Sequence, residues 1–157
     1  MVSTRVAHLV ARIAIAVTAV LALPLAAQPK LDVRFGILVA DGNGQERFVE
    51  TAEVPNVDGQ SYGWIATIEP LRDRVTWTEE LRLPKAPLEW DVGGAPSVAV
   101  SEDRTAVRTS GVLLPGESEF SSFWIITPGD PNGDYSLTLS VFDGVVAKFT
   151  FSVGPAQ

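Results

Sequence analysis

The sequence predicts an all-β fold, an antiparallel two-sheet sandwich of about seven to nine strands set behind a signal peptide. Three observations lead there. Apolar residues recur with a period of two in short runs, the pattern of half-buried strands. Gly and Pro clusters interrupt those runs at close spacing. No stretch after the leader sustains a helical period, and no internal repeat is visible.

Met1–Arg12 carries Arg5, His8 and Arg12 and no acid, and Ile13–Leu23 is an apolar run of eleven residues. Pro24-Leu25-Ala26-Ala27 then supplies a helix break and small residues, so cleavage after Ala27 is expected. A bilayer span needs ~20 residues, which makes an uncleaved anchor the lesser alternative. Gln28–Gln157 reads as one domain, a length that buries roughly two-thirds of its unfolded surface.

The strands follow in order. Leu31–Val39 alternates apolar residues at odd positions, and Asp41–Gly44 turns the chain. Arg47–Val54 is a charged strand suited to an edge, ended by Pro55. Ser61–Ile68 places Tyr62, Trp64, Ala66 and Ile68 on one face, and Val75–Leu83 is apolar at most odd positions. An irregular segment covers 84–96. Ser97–Ser101 and Thr105–Thr109 flank a turn at Glu102–Arg104, and Phe120–Thr127 is aromatic and β-branched.

The last hairpin is the most explicit stretch. Asp143-Gly144 suits a two-residue turn, but that pairing sets apolar rows beside polar ones. A three-residue loop, Phe142–Gly144, restores parity. It pairs Val141 with Val145, Leu139 with Ala147, Leu137 with Phe149 and Tyr135 with Phe151, with Gly144 left-handed. Tyr62-Gly63-Trp64, the Pro-rich middle, Pro131-x-Gly-Asp-Tyr135-x-Leu-x-Leu and the Phe151-x-Val ending together resemble bacterial secreted immunoglobulin-like domains of unknown function. The chain departs by inserting Asn132-Gly-Asp134 after Pro131 and by placing Tyr135 where Trp is commoner. The resemblance implies an immunoglobulin-like sandwich and carries no activity or site residues.

Composition removes several chemistries. Cysteine is absent and the single histidine is His8, within the leader. Zinc and copper sites of the usual ligand types are therefore not expected, nor are Ser-His-Asp or Cys-His nucleophiles. Loss of residues 1–27 removes Arg5 and Arg12 and no acid, taking the formal net charge from −7 to −9. Such a surface suits neither nucleic acid nor an anionic membrane, so a membrane contact is expected only through an uncleaved leader.

Three groups are candidates for a site. Asp130, Asn132 and Asp134 offer oxygens at alternate positions, but Gly133 and Val141 stand where a helix-loop-helix calcium site does not want them. A turn with side chains bound to local amides is expected, with a weak calcium site as the lesser reading. Trp90, between Glu89 and Asp91, is the best exposed aromatic for a sugar ring; Trp64, Trp77 and Trp124 read as core or rim. Glu79-Glu80 and Glu117-x-Glu119 read as solvated acids, since neighbours in a strand cannot form a glycosidase pair. The expected function is non-catalytic and free of cofactors. It is a secreted or periplasmic module that binds an envelope or secreted protein, or is accessory to an envelope complex, through a sheet edge or the 84–96 loop. The alternative is carbohydrate binding through exposed aromatics.

Overall fold

The computed structural model describes residues 30–90, 92 and 97–155. The leader and its cleavage point lie outside these residues, as does part of segment 84–96. Ten strands follow in chain order: β1 (Leu31–Ala40), β2 (Glu46–Glu50), β3 (Glu53–Pro55), β4 (Ser61–Ile68), β5 (Val75–Arg82), β6 (Val98–Val100), β7 (Ala106–Leu113), β8 (Glu119–Ile125), β9 (Gly133–Val141) and β10 (Gly144–Gly154). They form a four-stranded sheet, β2-β1-β4-β8, and a six-stranded sheet, β3-β10-β9-β5-β7-β6.

Alternation explains which side chains meet between the sheets. Tyr62, Trp64, Ala66 and Ile68 of β4 are all buried, as are Tyr135, Leu137, Leu139 and Val141 of β9. Phe35 of β1 stacks on Phe151 of β10 with ring centroids 4.4 Å apart, and Trp64 meets Trp77 edge-on at 5.3 Å. Trp77 lies opposite Gly111 of β7, where a Cβ would run into the indole. The Tyr135 hydroxyl donates to the Pro131 carbonyl at 2.8 Å. This is the corner by which immunoglobulin-like sandwiches tie a strand start to its preceding turn.

Two expectations need correction. The single strand expected over Arg47–Val54 is two, because the chain changes sheets at Thr51-Ala52. β2 pairs with β1, whereas β3 pairs with β10 in parallel, a departure from an all-antiparallel arrangement. The Thr51 hydroxyl accepts from the Glu53 amide at 3.0 Å and holds that bend. The split raises the strand count to ten.

In the last hairpin the pairs Leu139–Ala147, Leu137–Phe149 and Tyr135–Phe151 form as expected, but Val141 faces Gly144 rather than Val145. The turn has two central residues, Phe142 (φ 55°) and Asp143 (φ 59°), and Gly144 is not left-handed. A type I′ geometry matches strand twist. The parity it breaks is restored by a register shift between Val145 and Ala147. One bulged residue returns the apolar row to the core.

Candidate functional site

Glu79 is the residue that sequence reasoning misplaced. It is fully buried, not solvated. From β5 it reaches across the interior to the other sheet, where Trp64 Nε1 donates to Oε2, and Trp124 Nε1 donates to Oε1 at 2.6 Å. Ser122 Oγ lies 3.3 Å from the same Oε1. Burial pushes the carboxyl above its ordinary range, and the indole and hydroxyl bonds oppose that rise. Its neighbour Glu80 points outward to Arg82 and Arg108, each at 3.0 Å, and is held below the ordinary range by them. The two carboxylates therefore do face opposite ways. The period-two pattern already put residue 79 on the inner face, with Trp77 and Leu81; the charge alone suggested solvent.

Trp124 is half-buried and connects Glu79 to a cleft of about 490 Å³. Trp90, Tyr62, Glu89, Thr127 and Asp130 also line it. Trp90 is half-buried rather than freely exposed, and its ring meets Trp124 edge-on at 6.2 Å. Its Nε1 donates to the Arg104 carbonyl at 2.9 Å, and Arg104 Nη2 donates back to the Leu88 carbonyl at 3.1 Å. Segment 84–90 is thus clipped to the turn between β6 and β7. Both indole N–H groups serve the fold, so the cleft receives ring surface, not indole donors. Tyr62 is buried at the wall of this cleft. Burial, with Tyr135, Asp130 and Glu79 nearby, holds it protonated well above the ordinary phenol range.

The Asp130–Asp134 turn serves the same end of the sandwich. Asp130 Oδ2 accepts from the Thr127 amide at 2.8 Å, while Asn132 Oδ1 accepts from Asn56 at 2.6 Å. Asp134 lies at the start of β9, opposite Ser152. Asp130 and Asn132 thus hold local structure, and no three acids converge on a metal-sized site among the described residues. Glu117 caps its own turn, accepting from the Leu114 amide at 2.7 Å.

The outer faces of the two sheets differ in chemistry. On the six-stranded sheet Thr78, Glu80, Ser136, Thr138, Ser140 and Lys148 alternate with the buried rows. On the four-stranded sheet Leu38, Phe48, Ile65, Phe123 and Ile125 lie outward, and Ile125 is 57% exposed. Gly36 and Gly63 sit side by side beneath them. A Cβ on Gly63 would strike the Ser122 carbonyl and the Phe123 ring. Phe48 and Phe123 close over this bare backbone from the two edges, their centroids 6.3 Å apart.

Comparison with known proteins agrees with this architecture. An immunoglobulin-like protein (PA1606) from Pseudomonas aeruginosa superposes with a TM-score of 0.57 at 17% identity, over 82% of this chain and 98% of that one. The PmoD soluble domain from Methylocystis sp. gives 0.42 at 18% identity, over 78% and 90%. Comparison with curated proteins returned no match. A family model does match, over residues 33–154. The chain is an immunoglobulin-like sandwich and belongs to the PM0630 beta sandwich domain family.

Proposed function

We propose that the chain is a non-catalytic recognition module, secreted or periplasmic, that binds another protein of the envelope or secreted space. The observation that carries this reading is the apolar outer face of the four-stranded sheet. A sandwich needs one buried face per sheet, and the outer face of the six-stranded sheet is mainly hydroxylated and charged, with Val112 and Val145 exposed among those groups. On the four-stranded sheet the partly exposed Leu38, Phe48 and Phe123 and the exposed Ile125 instead form an apolar strip that runs beside the Arg34–Glu50 pair and ends at the edge strand β8. Contiguous apolar surface of this kind marks an interaction site. Crosslinking in cells, followed by affinity purification of the tagged mature chain, tests the reading. Ile125→Asp should abolish a stoichiometric partner and leave the melt within about 0.5 kcal/mol of the parent, as expected for a surface change. A partner retained by that variant would refute the role of this face.

A second reading, carbohydrate binding, is favoured by the cleft itself. Two indoles offer apolar surface to a pyranose ring, and Asp130, Glu89 and the Tyr62 hydroxyl can bond its hydroxyls. Titration with envelope polysaccharides should quench tryptophan fluorescence, and Trp90→Ala should remove the response. Silence toward every glycan would dispose of it.

A further inference from the structure

One lateral side of the sandwich is incompletely closed. On β1, residues 36–40 pair with β2, but among the described residues 31–35 have a neighbour only in β4. On β10, β3 covers only Ser152–Gly154, and the Ser152 amide donates to the Ala52 carbonyl. Upstream, residues 147–151 pair with β9 alone among the described residues. These two unpaired half-edges face each other beneath the Thr51-Ala52 crossover. They bound a groove of about 510 Å³ lined by Val33, Phe35, Phe149 and Lys148, together with Arg34 and Glu50, which pair with each other at 3.4 Å. Val33, Ala147 and Phe149 belong to the inward rows yet stay partly exposed, because no strand of the described residues covers this side. Phe149 stacks on Phe35 at 5.4 Å and forms the apolar floor.

We infer that this seam accepts an extended segment of a partner protein, about five residues long, which adds to the β10 edge in line with β3 and bears alternating apolar residues with an acidic one beside Lys148. Strand addition draws affinity from the free backbone groups of an edge and specificity from alternate side chains. The inward residues of the added strand would fall between Val33 and Phe149. Its outward residues would lie beside Lys148 and Thr150. Lys148 is exposed and makes no ion pair among the described residues. That charge also argues against a second copy as the occupant. Antiparallel self-pairing over these residues sets two Lys148 side chains opposite or diagonal to one another, and like charges across strands are unfavourable. The bulge at Val145–Ala147 likewise limits the regular edge to a short run.

The inference rests on the reading that the chain binds a protein, and it narrows that reading to an edge and a class of partner. The probes are three capped hexapeptides of alternating Val and Thr, with Glu, Ser or Lys at one central outward position. Binding should protect from hydrogen exchange the amides of Lys148 and Thr150, which face the open edge as that of Ser152 does. The Glu peptide should bind roughly 2–5-fold tighter than the Ser peptide, the range of one exposed charge pair, and the Lys peptide should bind weakest. Lys148→Glu, a surface change, should invert that order. Absence of binding, equal affinity for the three peptides, or protection confined to β8 would overturn the inference. Capture of a partner in cells separates the two proposals. A partner lost in Ile125→Asp but held undiminished by Lys148→Glu would exclude the seam and leave the protein-binding reading standing. Charge-ordered peptide binding, with a captured partner that survives Ile125→Asp but is weakened by Lys148→Glu, would uphold the seam and refute the role of the apolar face.

Discussion

Truncating Glu79 to alanine removes the one fully buried charged side chain among the described residues, which joins the sheets through the interior. Trp64 and Trp124 would each lose the acceptor for an indole N–H. An unpaired buried donor costs about 1–3 kcal/mol, and the missing carboxyl leaves a void besides. Trp64 is wholly buried and cannot recover a partner, whereas Trp124 borders the cleft and can turn to water. The sum is about 3–5 kcal/mol, a large part of the ~5–15 kcal/mol that holds a domain together. For a chain of this size 1 kcal/mol moves the midpoint by roughly 3–5 °C, so Glu79→Ala should melt at least about 10 °C below the parent. Glu79→Gln keeps the volume and one acceptor. Its oxygen should turn to Trp64 and its amide should leave Trp124 unpaired, a loss of about 1–2 kcal/mol. Glu80→Gln is the control. It lies one residue away and loses only exposed ion pairs, worth under about 1 kcal/mol. Thermal melts by near-ultraviolet circular dichroism read all three, since two of the probes are the indoles concerned. If Glu79→Ala and Glu80→Gln melted together, the buried carboxylate would not be holding the sheets.

Further outcomes follow from the same geometry. Because burial raises Glu79 above its unfolded value of 4.5, its favourable contribution is complete below that value and fades as pH rises through the folded one. The melting gap between the parent and Glu79→Gln should therefore be wider at pH 4.5 than at pH 8, and a gap that widens upward would contradict this. Tyr135→Phe removes the bond to Pro131 and leaves a buried acceptor, so urea titration should show a loss of about 1–2 kcal/mol with an unchanged slope. Gly111→Ala drives a methyl group into the Trp77 ring and should destabilise by about 1–3 kcal/mol, with a shift in tryptophan emission. Asp103 is pulled down to about 2 by bonds from Ser101 and Thr105. The β6–β7 turn should accordingly keep its carboxylate cap until pH falls through that value, as amide shifts near Thr105 would report.

Most of the architecture was legible because alternation is a local property. Ser61–Ile68 and Leu137–Phe149 carry their faces in their own spelling, and the parity of the last hairpin chose the correct long-range pairs. Local spelling could not say where the chain changes sheets. Thr51-Ala52 is polar and small in either reading, and only the approach of β10 separates Glu53–Pro55 from β2. The turn at Phe142-Asp143 was misread for a related reason, since a bulge three residues later absorbed the parity that the turn broke.

The candidate site was less legible. Trp90 was found by its polar neighbours, but Tyr62, Trp124 and Asp130 come from three distant segments, and only the packed sheets bring them to one cleft. Glu79 shows the limit most sharply. By itself the sequence determined that residue 79 lies on the same strand face as Trp77 and Leu81, because side chains alternate whatever their charge. Only the tertiary structure decided that a carboxylate could stay there. Two indole N–H groups and a hydroxyl, arriving from the opposite sheet, supply the bonds that water would otherwise make.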